Sequence, residues 1–160
     1  GAYRAHTRAE RGATQGSSTM HREFPTPAIW FSHRVSYGET DTMGVLYYAE
    51  YLHIFERARG EYIRALGMSY ADVERRGVFL PVREAQCRYR SSASYDDMVC
   101  VHTAIGEWGR ASLKFIYEMR SGDKTRVLAT GMTQHALVNG EGRPIAVPGW
   151  FRELCGGERR

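Results

Sequence analysis

The strongest constraint on this chain is a change of hydrophobic period between residues 29 and 66. Ile29, Phe31, His33, Val35 and Tyr37 share one face at a spacing of two, which specifies an extended strand. From Tyr48 the spacing becomes three and four. Tyr48, Tyr51, Leu52, Phe55, Ala58, Tyr62, Ile63 and Leu66 then form one apolar stripe on a helix of about five turns. Glu50, Glu56, Arg57, Arg59, Glu61 and Arg64 mostly fall off that stripe. Between the two patterns lies Gly38-Glu39-Thr40-Asp41-Thr42-Met43-Gly44, a run of turn and capping residues.

The remainder returns to alternation. Phe79 to Tyr89 reads as a strand with Pro81 near its start or edge. Asp97 to Trp108 places Val99, Val101, Thr103 and Ile105 on one face, and Leu113, Phe115, Tyr117 and Met119 form the next set. Gly109-Arg110, Ser121 to Lys124 and Asn139 to Gly142 read as turns, and Val127 to Val138 as the last long strand. Gly67 is placed to end the long helix. Tyr70 to Arg76 reads as a short helix ending at Gly77, and Pro148 to Leu154 as another. The order of strand, long helix and four antiparallel strands is an α+β domain with a sheet of about five strands. One helix cannot cover such a sheet, so dimerisation through sheet and helix is expected.

The 160 residues suit a single domain, and no apolar run approaches the roughly 20 residues that cross a bilayer. The 22 Lys and Arg against 18 Asp and Glu are scattered, which argues against a nucleic-acid surface. Cys87, Cys100 and Cys155 are odd in number and unspaced for zinc, so neither a disulfide framework nor a CxxC metal site is expected. Residues 1–27 read as a flexible leader with Met20 as a candidate start, residues 28–155 as the domain, and residues 156–160 as a flexible tail.

The chemistry concentrates where the strand hands over to the helix. The first amides of a helix lack internal partners, and its dipole makes that end electropositive, so an oxygen gaining negative charge is stabilised there. Gly44 lets a ligand approach the backbone, and Asp41 stands beside the same place. A carboxylate next to such amides suits acyl transfer, either attacking a thioester carbonyl or deprotonating water. Asp41 is also a good helix-capping residue, and local chemistry leaves both readings open.

The run from Val35 to Arg59, V-S-Y-G-E-T-D-T-M-G-V-L-Y-Y-A-E-Y-L-H-I-F-E-R-A-R, resembles the signature of the 4-hydroxybenzoyl-CoA thioesterase and YbgC-like branch of the hotdog superfamily. The resemblance continues through Ser94-Tyr95-Asp96-Asp97 and Glu107-Trp108 to Glu153-Leu154-Cys155. It implies a hotdog domain acting as an acyl-CoA thioesterase in a homodimer or homotetramer, in a cytoplasmic setting and without cofactor or metal. Asp41 then matches the catalytic aspartate, and the backbone N–H of Tyr48 the group that polarises the thioester carbonyl. Tyr37, Gly44 and Val45 are placed in substrate binding. Arg110 matches part of a cluster that contacts the CoA phosphates, although its neighbours Gly109 and Ala111 leave most of that cluster missing. Many YbgC-like members carry His where this chain has Tyr48. Glu56 matches a helix acid expected at the subunit interface.

Other residues carry weaker readings. Glu50 and His53 are a lone helical pair, His102 and His135 read as structural, and Glu39 is close enough to Asp41 to repel it. Two further functions fit the same loop: a hydratase or dehydratase acting on acyl thioesters, or a non-catalytic acyl-thioester binder. An acyl carrier protein could replace CoA as the carrier.

Overall fold

A computed structural model describes residues 24–156, so the leader up to residue 23, including Met20, and the tail from residue 157 lie outside the described residues. Five strands form one antiparallel sheet: β1 (Ala28–Arg34), β2 (Val82–Tyr89), β3 (Met98–Trp108), β4 (Ser112–Ser121) and β5 (Val127–Ala136). Their order across the sheet is β1-β3-β4-β5-β2, so the first two strands in sequence are its two edges. The long helix α1 (Glu50–Ala65) crosses one face, followed by the short α2 (Tyr70–Arg75). A last short helix, α3 (Gly149–Leu154), follows Pro148.

Alternation decides which face is core. Val99, Val101 and Ile105 of β3 and Leu113, Phe115, Tyr117 and Met119 of β4 point to the helix side and are buried. From α1 they meet Tyr51, Ile54, Phe55, Ala58, Tyr62 and Ile63. Each large apolar side chain so placed contributes roughly 1.5–3 kcal/mol. The buried stripe is rotated from the sequence expectation. Ile54 is inside, whereas Leu52 and Tyr48 are exposed. The reason is the seat of Phe55, whose ring lies parallel to that of Tyr117 with centroids 4.5 Å apart. The sheet therefore runs under the 51-55-58-62 line and leaves Leu52 on the outer flank.

The helix is also shorter at its start than the spacing of apolar residues predicts. Its first helical residue is Glu50, and Tyr48 and Ala49 form a turn before it. The first strand likewise stops at Arg34, and Tyr37 begins a short 3-10 turn, Tyr37–Glu39. Tyr37 is thus not a strand residue, contrary to its place in the alternating pattern; the chain leaves the sheet where Val35 N–H turns to the Asp97 carbonyl. Strand β2 is the other point of note. Seven of its eight residues are exposed, since it has a neighbour on one side only.

Candidate active site

The loop after β1 folds back on itself as a tight ribbon, residues 39–41 against 45–47. Asp41 N–H donates to Val45 carbonyl at 2.9 Å, and Tyr47 N–H to Glu39 carbonyl at 2.8 Å. Thr40 and Leu46 form an antiparallel bridge between them. Gly44 closes the ribbon with φ +77, a left-handed conformation that only glycine adopts without strain. The space where its side chain would stand is open. The ribbon is pinned to the loop that precedes β3 by Val45 pairing with Ser94 and by Tyr95 N–H donating to Gly44 carbonyl at 3.1 Å.

Asp41 is half-buried, and one of its oxygens is committed. Oδ1 accepts from Met43 N–H at 2.8 Å and from Val45 N–H at 3.3 Å. No hydrogen bond to Oδ2 is found among the described residues. The carboxylate is therefore aimed by its own loop with one oxygen left to act. Tyr47 and Tyr48 stand next to it. The Tyr47 phenol is held above its ordinary pKa first by a hydrogen bond to the Tyr48 hydroxyl, with the Asp41 charge a smaller cause.

Two residues past the ribbon the helix begins, and its bonding leaves open amides. Glu50 N–H donates to Tyr47 carbonyl at 2.9 Å and Tyr51 N–H to Tyr48 carbonyl at 3.4 Å. The N–H groups of Tyr48 and Ala49 find no acceptor among the described residues. The Tyr48 carbonyl is held from a second side by the Tyr89 hydroxyl at 2.9 Å. This bond fixes the peptide plane and so aims the Ala49 N–H the opposite way. The rings of Tyr48 and Tyr51 both meet Tyr89 edge-on, with centroids 6.3 and 4.9 Å away.

Of the residues named from sequence, Asp41, Gly44, Val45 and Tyr48 come together in this way. Tyr37 lies nearby but is 79% exposed, edge-on to Tyr95 with centroids 5.8 Å apart. Arg110 is not brought to the site. Asp41 sits by the Met98 end of β3, and Arg110 follows the Trp108 end. An 11-residue strand at about 3.3 Å per residue puts roughly 30 Å between them. Arg110 instead borders a cavity of about 790 Å³ beside Trp108, Val147 and Arg152. The Arg152 guanidinium lies 5.0 Å from the Trp108 ring centroid and donates to Gly109 carbonyl at 2.9 Å.

Sequence reasoning passed over Tyr89 and the support of the ribbon. Tyr89 acts across 41 residues of sequence, and nothing in its local spacing marks it. The ribbon rests on His33 and Glu39. His33 Nε2 lies 2.8 Å from Glu39 Oε1, which also accepts from Ser36 N–H at 2.7 Å. Arg57 Nη1 reaches His33 Nδ1 at 3.1 Å. The arginine donates, so Nδ1 accepts and Nε2 carries the hydrogen bonded to Glu39. Both nitrogens are thus occupied, and His33 serves as a strut. Glu39 caps the turn that leads to Asp41. Glu50 and His53 gather no third metal donor; among the described residues, no three His, Cys, Asp or Glu converge. His102 is stacked on Trp30 at 4.2 Å.

Burial alone would raise the Glu39 pKa, but hydrogen bonds from Ser36 and His33 outweigh it and hold the value below the ordinary 4.5. A lowered carboxylate pKa stabilises the fold above the unfolded pKa, and that contribution disappears as pH falls through the folded value. Glu39→Gln is therefore expected to cost about 1–2 kcal/mol at pH 7. The same substitution should cost progressively less as pH falls through the folded pKa, where wild-type Glu39 itself takes up a proton. Urea unfolding of both proteins across a descending pH series measures this; a cost independent of pH would remove the charge from the explanation.

A five-stranded antiparallel sheet curled over one long helix, with an acid and open amides where that helix begins, defines the hotdog class of thioester-handling proteins. The chain belongs to the thioesterase-like superfamily, whose family model matches residues 35–154. Among its relatives, the acyl-CoA thioesterase YbgC of Haemophilus influenzae is 35% identical over 120 residues, 74% of this chain and 87% of that protein. The 4-hydroxybenzoyl-CoA thioesterase of Pseudomonas is 28% identical over 137 residues, 80% of this chain and 97% of that protein. Among solved structures, the DHNA-CoA thioesterase of Staphylococcus aureus superposes with a TM-score of 0.72 at 31% identity, covering 79% of this chain and 85% of that one.

Proposed function

We propose that this protein hydrolyses acyl-CoA thioesters to the free acid and CoA, with Asp41 as the reacting carboxylate and the Tyr48 N–H as donor to the thioester oxygen. One observation carries the reading. A carboxylate with one oxygen fixed by backbone and one uncommitted stands beside amides that the fold leaves without acceptors. Such amides stabilise an oxygen as it gains charge, and they are aimed before substrate arrives. Asp41 attacks the carbonyl carbon or takes a proton from water that does so; in either route the thiolate of CoA leaves. Gly44 and Val45 form the wall over which the thioester passes, and Tyr37 its exposed rim. The experiment is thiol release from short, long, branched and aromatic acyl-CoAs. Release from none of them, with enoyl hydration or saturable binding instead, would replace this reading by one of its two alternatives.

The unit that works is an oligomer. The exposed edge β2 can pair with its own copy across a two-fold axis, joining two sheets into one. Antiparallel pairing sets the Tyr89 end of one β2, with Tyr48 beside it, against the Val82 end of the partner's. The acyl pocket then lies between subunits. Arg110 can meet CoA phosphates at this site only from another subunit, given its distance from Asp41 in its own chain, so a tetramer gives it its role. A cytoplasmic setting accords with three free cysteines. Among the described residues no helix is long and apolar enough to cross a membrane. Light scattering is expected to give twice or four times the chain mass, and activity per chain should fall when dilution yields monomer. A fully active monomer would remove the shared pocket.

A further inference from the structure

The entry to α1 leaves two amides open, and a side chain from a distant strand governs where one of them points. Tyr47 N–H is spent on the Glu39 carbonyl at 2.8 Å, Glu50 N–H on the Tyr47 carbonyl at 2.9 Å and Tyr51 N–H on the Tyr48 carbonyl at 3.4 Å. Within residues 47–51 that leaves the N–H groups of Tyr48 and Ala49 without an acceptor among the described residues. Both bonds that lead into the helix span three residues, so residues 48 and 49 occupy the bend of two overlapping turns, with Ala49 at φ −72 and ψ −20. Amides in such successive turns point the same way, out past the start of the helix.

The two peptides that carry these N–H groups are held unequally. The 47–48 peptide bears the Tyr48 N–H. It follows directly on the ribbon, and its carbonyl takes a bond of ordinary length from Glu50. The 48–49 peptide bears the Ala49 N–H. Its carbonyl takes a backbone bond from Tyr51 at 3.4 Å, longer than an ordinary N–H···O bond. The 2.9 Å bond from the Tyr89 hydroxyl is the firmer restraint on that oxygen.

A phenol is protonated at neutral pH and a carbonyl only accepts, so Tyr89 is the donor. In a trans peptide C=O and N–H point opposite ways, so fixing the Tyr48 oxygen toward Tyr89 fixes the Ala49 hydrogen away from it. A carbonyl that accepts a hydrogen bond also polarises its own peptide and strengthens the N–H as a donor. Tyr89 has a rigid seat from which to do this. It is registered against Ala129 at the end of β2, and the rings of Tyr48 and Tyr51 meet it edge-on.

We propose that Tyr89 is a positioning residue for thioester hydrolysis: through the Tyr48 carbonyl it holds the 48–49 peptide so that the Ala49 N–H joins the Tyr48 N–H on the thioester oxygen. This rests on the thioesterase reading above and adds to it a second donor and the group that aims it. Hydrogen bonds weaken steeply as they bend, and this one strengthens as the oxygen gains charge. Loss of the hydroxyl is therefore felt in the chemical step rather than in substrate binding.

Tyr89→Phe keeps the ring and its edge-on contacts and removes only the hydroxyl. On oligomer collected by gel filtration, its kcat for thiol release should fall about tenfold while KM stays within about twofold of wild type. A spectroscopic measurement reads the Ala49 N–H itself. The chain contains two Tyr-Ala pairs, Tyr48-Ala49 and Tyr70-Ala71, so protein carrying ¹³C-carbonyl tyrosine and ¹⁵N alanine gives two carbonyl-linked amide signals by NMR. In Asp41→Asn, saturation with the acyl-CoA that wild type turns over fastest should move the Ala49 amide proton downfield and leave that of Ala71 in place. Adding Tyr89→Phe should cut the displacement by about half or more. Wild-type kcat in Tyr89→Phe, a loss confined to KM, or an Ala49 signal unmoved by the acyl-CoA would each overturn the proposal. So would a Tyr89→Phe protein found only as monomer, since the hydroxyl would then serve the interface. Thiol release by wild type alongside any of these results defeats the proposal alone; no thiol release from any acyl-CoA defeats the thioesterase reading and the proposal with it.

Discussion

Asp41→Asn is expected to lower thioester hydrolysis by roughly 100- to 10,000-fold while leaving the fold and oligomer unchanged. The substitution is informative because of what it keeps. Asparagine retains an Oδ1 that can accept from Met43 and Val45 N–H, so the bonds that shape the loop survive. What disappears is the charge on the second oxygen. Stopped assays of thiol release, with circular dichroism and light scattering as controls, would measure it. If Asp41→Asn kept near-normal turnover on every good substrate, the carboxylate would be a turn former only.

A second measurement on the wild type separates the two routes open to Asp41. In a single turnover in ¹⁸O water, base catalysis places the label only in the product acid. Attack by Asp41 gives a mixed anhydride, and water that opens it at the enzyme's carbonyl leaves the label in Asp41 itself. Label recovered in the Asp41 peptide would establish the covalent route.

The legible parts of this fold were those set by local pattern. A period of two marks β3 and β4, and a stripe at three and four marks α1, because each element buries one face and the sequence must repeat with it. The loop was legible for a related reason: Gly44 and Asp41 are residue types that turns demand. The errors lie where the pattern continues past the element. Tyr37 and Tyr48 each keep phase with a neighbouring element yet sit in turns, because backbone bonds from Val35 to Asp97 and from Tyr47 to Glu39 end the regular structure first. Sheet order and the grip of Tyr89 on the Tyr48 carbonyl depend on contacts between elements far apart in the chain, which no local spacing records. The same holds for Arg110. Its place in a turn was readable, but its distance from Asp41 follows only from knowing which end of β3 carries the loop.

Phe55→Ala should be the most damaging single change in the core, lowering stability by about 3–5 kcal/mol. For a domain of this size that is a fall in Tm of roughly 10 °C or more. Phe55 is fully buried, stacked on Tyr117, and its ring lies over Gly131 of β5. The glycine is the other half of the contact. A Cβ at residue 131 would meet Phe55 Cε2 at 2.5 Å and the Gln86 carbonyl of β2 at 2.8 Å. Gly131→Ala is therefore also destabilising, by about 1–3 kcal/mol from overpacking. The two costs have different owners, and a double-mutant cycle separates them. In Phe55→Ala the ring is gone, so adding Gly131→Ala should cost less than it does in the wild type. It should still cost something, because the Gln86 carbonyl belongs to backbone and cannot move aside. Full additivity would mean that ring and glycine do not share the site. Complete rescue would mean that β2 yields freely, against its registered pairing with β5.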